Sequence, residues 1–166
     1  METLHKMMQD YKKQLQKGTI QKAYLGLMEY LMGLRTYLKK KYPEHFVSGF
    51  YQGYMDISYF SFTPTSLKLR ELKIAIVFVF DTFRFEVWLG AKNKEVQAKY
   101  WSFFKKSDWD QYKLIPSLEG EDSILEHVLV NEPDFSDLDT LSKEIESGAL
   151  RFIEAIEAFL AFGEQA

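Results

Sequence analysis

The chain has 166 residues, of which 46% are hydrophobic and 16% aromatic. This composition excludes a disordered chain, which has too little apolar surface to offset its conformational entropy by burial. The chain contains no cysteine, which excludes a disulfide framework, a thiolate metal site and a thiol nucleophile. No run approaches the roughly 18 apolar residues of a membrane helix, and residues 1–8 show no signal-peptide core. We therefore expect one domain over residues 1–166, located in the cytoplasm.

The net charge is only −3, but the charges are unevenly distributed. Basic and acidic side chains number nine and four in residues 1–45, nine and five in residues 46–106, and three and fifteen in residues 107–166. A basic surface beside an acidic segment is one pattern of nucleic-acid binders. Because the acidic last third also has a strong apolar pattern, we favour the simpler interpretation that it packs on the basic part and neutralises it.

Two helices are predicted at the start of the chain. Residues 2–16 form the first, and Gly18 suits a left-handed cap behind it. Thr19 suits the N-cap of the second, which runs from about Ile20 to Tyr42, where Pro43 blocks it. Its main apolar stripe consists of Ile20, Ala23, Tyr24, Leu27, Leu31, Leu34 and Leu38. A second stripe, on another side of the helix, consists of Leu25, Met28 and Met32. A helix that is apolar on two sides is usually packed between other elements or lies at a subunit interface, and we expect a homodimer.

Strands follow the helices. Residues 54–63 are predicted to form one strand, and residues 69–80 and 83–90 a hairpin with Asp81-Thr82 as its turn. This register pairs Val79 with Arg84, Val77 with Glu86 and Ala75 with Trp88. One face then carries only Ile74, Ile76, Phe78, Phe80, Phe83, Phe85, Val87 and Leu89, and we expect this apolar face to be core. The opposite face, here the second face, carries Lys73, Ala75, Val77, Val79, Arg84, Glu86 and Trp88.

The rest of the chain adds two helices and two short strands. Asn93 is predicted to cap a helix that ends near Lys106. A short strand over residues 112–115 follows. Residues 124–130 are predicted as a strand, with a helix that starts at Ile124 as the alternative.

Ser136 is predicted to cap a long last helix over residues 137–161. The fold class is therefore α+β. We expect an antiparallel three-stranded meander, extended to four or five strands, with its apolar face covered by the helices at residues 20–42 and 137–161.

The second face provides the candidate site. Arg84 and Glu86 lie two apart on one strand and hence on one face, with Trp88 beyond them, and we expect Asp56 to project to the same side. Carboxylates beside a guanidinium and an indole suit a small-molecule or metal site. The alternative is a structural ion pair between Arg84 and Glu86. No metal or cofactor motif is recognisable, and we expect neither group.

An aromatic-rich segment over residues 50–60 is the other candidate surface. It suits a core or a dimer interface, and alternatively a surface on which bases stack beside nearby lysines. The topology of a helix, a meander and a helix is also that of the PD-(D/E)xK nuclease core. However, the corresponding run Glu86-Val87-Trp88 has tryptophan in place of the catalytic lysine, so we do not expect a nuclease.

Several stretches together resemble a known family. They are Tyr51-Gln-Gly-Tyr-Met-Asp56, Phe83-Arg-Phe-Glu-Val-Trp-Leu89, Tyr100-Trp101 and Asp122-Ser-Ile-Leu-Glu126. The chain resembles, over about residues 5–160, a family of small uncharacterised bacterial proteins of unknown function. The resemblance implies a bacterial, cytoplasmic setting and assigns no role to any residue.

Three functions remain open in order of preference. The first is a non-catalytic binding or interaction module that self-associates through its aromatic-rich surface. The second is an enzyme or small-ligand-binding domain that uses Asp56, Arg84, Glu86 and Trp88. The third is a nucleic-acid binder that uses the basic first two thirds.

Overall fold

The computed structural model describes residues 1–165 and contains five helices and six strands within them. The helices are α1 (Leu4–Gln16), α2 (Thr19–Lys41), α3 (Thr65–Lys68), α4 (Lys94–Lys106) and α5 (Leu138–Gln165). The strands are β1 (Phe46–Val47), β2 (Ile57–Thr63), β3 (Leu72–Val79), β4 (Arg84–Ala91), β5 (Lys113–Leu114) and β6 (Ser123–Val130). The chain divides into two compact units, one over residues 1–34 and the other from Arg35 onwards, and the boundary falls inside α2.

The first unit contains α1 and the beginning of α2, as the sequence predicts. Thr3 caps α1, because its side-chain hydroxyl accepts a hydrogen bond of 3.3 Å from the backbone N–H of Lys6. Gly18 has a φ of +78°, the left-handed conformation predicted for it. No side chain of α1 is buried.

The second apolar stripe of α2 differs from the prediction at one position. Met28 is 5% exposed, whereas Leu25 is 58% and Met32 45% exposed. Met28 therefore lies on the buried side with Leu27 and Leu31. The exposed stripe is narrower than the sequence pattern indicates.

The second unit is built on a six-stranded antiparallel sheet of order β1-β2-β3-β4-β6-β5. The α+β class is confirmed. The short strand predicted over residues 112–115 corresponds to β5, and the sixth strand is β1, which contains only two residues, too few to show an alternating pattern. Residues 124–130 lie in β6, so the strand prediction is confirmed and the helical alternative is wrong.

The register predicted for the β3–β4 hairpin is confirmed at all three pairs. The turn itself differs from a two-residue turn. Phe83 has a positive φ of 53°, which places the left-handed residue at the end of a four-residue loop rather than in its centre. Phe83 is 56% exposed, so it is not a core residue as predicted.

The apolar face is the centre of the core. Ile74, Ile76 and Phe78 of β3 and Phe85, Val87 and Leu89 of β4 are completely buried. Helix α5 covers this face: its Phe152 stacks on His127 of β6, with ring centroids 6.3 Å apart. A Cβ at Gly148 would lie 2.7 Å from Leu129 Cδ2, so the glycine lets α5 approach β6 closely.

Two helix caps show where the local predictions succeed and fail. The side chain of Asn93 accepts a hydrogen bond of 2.9 Å from Val96 N–H at the start of α4, as predicted. At α5 the cap is Asp137, whose Oδ1 accepts from Thr140 N–H at 3.1 Å. Ser136, the predicted cap, instead donates to Asp134. Within residues 1–165, the structure contains no helix that could span a membrane.

Candidate functional site

Side chains on the second face of the sheet alternate with the core residues of the same strands. The cross-strand pairing aligns Tyr59 with Val77 and Glu86, and Ser61 with Ala75 and Trp88. The register thus brings side chains from three strands into common rows, which is what a site on a sheet requires.

Glu86 connects the three predicted site residues of β4. Its Oε2 accepts a hydrogen bond from Arg84 Nε, and its Oε1 accepts one from Trp88 Nε1, both at 2.9 Å. Glu86 is only 6% exposed, and burial of a carboxylate requires such partners. Because each oxygen has a partner within the strand, the carboxylate fixes the indole ring of Trp88 in place.

Asp56 does not join this group, contrary to the prediction. It precedes β2 rather than lying in it, and its carboxylate Oδ1 accepts from Tyr54 N–H at 2.9 Å. The backbone N–H groups of Tyr54 and Ile57 lower the pKa of Asp56 by hydrogen bonding to its charged form. Asp56 therefore stabilises a turn, and sequence periodicity overestimated the length of the strand.

A pocket of about 330 Å³ opens on the second face next to this group. Its floor consists of small side chains, Ser61 and Ala75, together with Gly90 and the buried Val77. The larger residues Tyr59, Lys73 and Trp88 stand around this floor. The depression exists because Ser61 and Ala75 pair across β2 and β3, and Gly90, the next residue after Trp88 on this face of β4, has no side chain.

The beginning of α4 closes one end of the pocket. Gln97 is 3% exposed, and its Nε2 donates to the carbonyl oxygens of Glu121 and Ser123, each at 2.9 Å. Lys94 Nζ donates to Asp122 Oδ1 at 3.0 Å. These bonds hold the segment before β6 against α4 and fix the pocket wall.

Glu126 lies beside the pocket, paired with Trp88 across β4 and β6. Burial raises the pKa of Glu126, and the hydroxyl of Ser123, which donates to its Oε1 at 2.7 Å, partly offsets this effect. Among residues 1–165, no group of three or more histidine, aspartate or glutamate side chains is arranged to hold a metal ion.

The aromatic-rich segment is divided between core and surface. Phe60 is completely buried, whereas Tyr51 is 42% and Tyr54 90% exposed. The rings of Tyr51 and Tyr59 have centroids 5.0 Å apart, so this segment continues the aromatic surface of the second face beyond the pocket.

Fold and site together define an α+β domain with a small pocket on the second face of its sheet. Residues 4–160 match the family described as a domain of unknown function, DUF7000. The chain belongs to this family. No curated protein and no solved structure shows significant similarity to it.

Proposed function

We propose that this protein is a non-catalytic binding domain that holds a small molecule in the pocket on the second face. The observation that carries the proposal is the cavity of about 330 Å³, with Tyr59 and Trp88 at its walls. Ligand pockets in proteins combine a mainly apolar lining with a few polar groups and begin near roughly 300 Å³. The ligand is therefore small, with one or two rings.

The arrangement of Glu86 supports binding rather than catalysis. A general base must lie within hydrogen-bonding reach of the proton that it removes. Both oxygens of Glu86 accept hydrogen bonds from Arg84 and Trp88, and Glu86 does not line the pocket. We assign it to the positioning of Trp88, which is the ring that a bound molecule contacts.

Filling the floor of the pocket tests the proposal. In Ala75→Leu the added side chain occupies the cavity without removing a polar group, so binding falls by about 100-fold or more while the fold is kept. The measurement is a thermal-shift screen of small metabolites on both proteins. A ligand at about 100 times its Kd stabilises the wild type by about 2.7 kcal/mol.

The matched control is Val79→Leu, which enlarges a side chain on the same face of β3 outside the pocket lining. Its ligand response equals that of the wild type. Equal responses of Ala75→Leu and wild type to every bound compound would contradict the proposed site, as would the absence of any response in the wild type.

Self-association is the second candidate, and α1 favours it. The helix has 13 residues and none is buried, and helices of this length are marginal in water without packing partners. All four residues of its apolar stripe are close to half-exposed or more: Leu4 67%, Met7 48%, Met8 54% and Tyr11 52%. An exposed apolar stripe on a short helix indicates that the helix packs against a partner outside the chain.

A second copy of the chain fits the stripe. If two α1 helices pack antiparallel about a two-fold axis between Met7 and Met8, Leu4 of one copy meets Tyr11 of the other. Met7 then meets Met8, so every residue of the stripe has an apolar partner. The stripe itself contains no charged residue, which removes like-charge repulsion across the axis.

Analytical ultracentrifugation checks this interface. We expect a wild-type dimer and a folded monomer for Met7→Gln with Tyr11→Gln, because glutamine keeps the helix propensity and removes the apolar contacts. The control, Lys6→Gln with Lys13→Gln, changes the opposite side of α1 and stays dimeric. A monomeric wild type, or a dimeric Met7/Tyr11 variant, would contradict the interface.

A further inference from the structure

Basic side chains gather at one end of the pocket. Lys73, Lys92 and Lys94 line it, and Asp122 is the acidic residue among its lining. Lys73 comes from β3, and the other two lie where β4 passes into α4. The end of the pocket thus has an excess of positive charge that nearby acidic side chains balance only in part.

The three lysines differ in how they are engaged. Lys94 Nζ is 3.0 Å from Asp122 Oδ1, but both side chains are highly exposed, at 71% and 92%. Lys92 Nζ is 3.9 Å from Glu71 Oε1, and both of these side chains are also exposed. Exposed ion pairs of this kind contribute little to stability, so both lysines can exchange their partner for another anion.

The side chain of Lys73 has no hydrogen bond or ion pair to any other residue of the described chain. Its neighbour across the β3–β4 ladder is Gly90, which offers no side chain to cover it. An ammonium group at the edge of a cavity, without a counter-ion of its own, is placed to bind an anion that enters the cavity.

The opposite part of the pocket is suited to a flat ring. Ala75 and Trp88 face each other across the strands, and the indole ring is held by its bond to Glu86 at 2.9 Å. A fixed aromatic wall above a floor of small residues accepts a planar ring by offset stacking. The room for a planar ring and the positively charged side chains are therefore at different ends of one cavity.

From this arrangement we infer that the ligand is a small aromatic acid. Its ring lies over Ala75 against Trp88, and its carboxylate or phosphate is held by Lys73 with Lys92 and Lys94. The inference rests on the proposed function, since it assigns the chemical class of the molecule that the pocket holds.

Isothermal calorimetry with matched probes tests the inference. The carboxylate pair is indole-3-carboxylate and indole-3-carboxamide, and the phosphate pair is phenyl phosphate and phenol. We expect the acid of at least one pair to bind about tenfold more tightly than its neutral partner, and this preference to decrease with salt. The pair that shows the preference identifies the anion.

Variants of Lys73 show whether the charge is responsible. Lys73→Met keeps an apolar stem and weakens binding of the acid by about tenfold, with no change for the neutral probe. Lys73→Arg keeps the charge and stays within about threefold of the wild type. Lys106→Met, a lysine outside the pocket, is the control and leaves all affinities unchanged.

The outcomes separate this inference from the proposed function. Equal binding of acids and neutral probes, or equal effects of Lys73→Met and Lys106→Met, would overturn the aromatic acid and leave the pocket as a binding site. Binding of neither acids nor neutral probes would contradict both.

Discussion

Replacement of Gly53 by alanine is expected to reduce the free energy of unfolding by about 3 kcal/mol or more. Gly53 has a φ of +74°, and a Cβ added there would clash with the carbonyl oxygen of Ile57 and lie 2.9 Å from Asp56 Oδ1. The obstacle is backbone rather than a flexible side chain, so the turn must open. That turn precedes β2 and contains the Asp56 carbonyl that accepts from Phe80 N–H at 3.0 Å.

Gly49→Ala is the matched control for this prediction. Gly49 has no atom within 4 Å of an added Cβ and no positive φ, so the change is within about 1 kcal/mol of the wild type and of either sign. Urea denaturation measures both variants. A Gly53→Ala variant as stable as Gly49→Ala would show that this turn does not restrict β2.

Glu146→Gln is expected to reduce the free energy of unfolding by about 2–3 kcal/mol at neutral pH, because hydrogen bonds to a charged group are stronger than those between neutral groups. Glu146 on α5 is 6% exposed and accepts bonds from Tyr37 at 2.8 Å, Lys41 at 2.9 Å and Tyr42 at 3.3 Å. In glutamine an NH2 group replaces one of the two carboxylate oxygens. This group is a donor and cannot accept a hydrogen bond from Lys41, so at least one of these bonds is lost.

The same cluster sets a pH dependence. Burial alone would raise the pKa of Glu146, but the bonds from Lys41 and Tyr37 and the Lys41 charge outweigh it and lower the pKa. For an acid whose pKa is lowered on folding, the stabilisation is complete above its unfolded value, near 4.5. It is lost as the pH falls through the folded value.

Denaturation of wild type and Glu146→Gln as a function of pH checks this account. The difference in stability is largest at neutral pH and shrinks in acid. Glu154→Gln, an exposed position on the same helix, is the control and shows little difference at any pH. A difference between wild type and Glu146→Gln that does not change with pH would mean that the carboxylate charge is not the source of the stabilisation.

The β3–β4 hairpin was predictable from the sequence because one face of both strands carries only apolar side chains, whereas the other face includes Lys73, Arg84 and Glu86. Residues alternate between two faces of a strand, so a one-residue slip would expose the entire apolar set, and only one register survives. The cap of α5 was missed by one position because Ser136 and Asp137 are both favourable capping residues. Propensity alone does not choose between adjacent candidates.

The candidate site was predictable only within one strand. Arg84, Glu86 and Trp88 share a face whatever the remaining fold, so the prediction placed them together correctly. The pocket depends on the alignment of Ser61 with Ala75 across β2 and β3, beside Gly90 of β4. The pairing of β2 with β3 determines that alignment, and no turn signal in the sequence fixes it. Lys73 was placed on the second face but was not recognised as a site residue, and Gln97 was missed because no sequence pattern shows how α4 packs beside the segment before β6.

A chemical-shift map of the labelled protein with small aromatic acids and their neutral analogues shows whether these molecules bind in the pocket on the second face. We expect the perturbed signals to concentrate at the backbone N–H groups of Ala75 and Gly90 and at the indole N–H of Trp88. Saturable shifts at these positions would establish the pocket on the second face as the binding site. Shifts confined to other surfaces, or none at all, would contradict it.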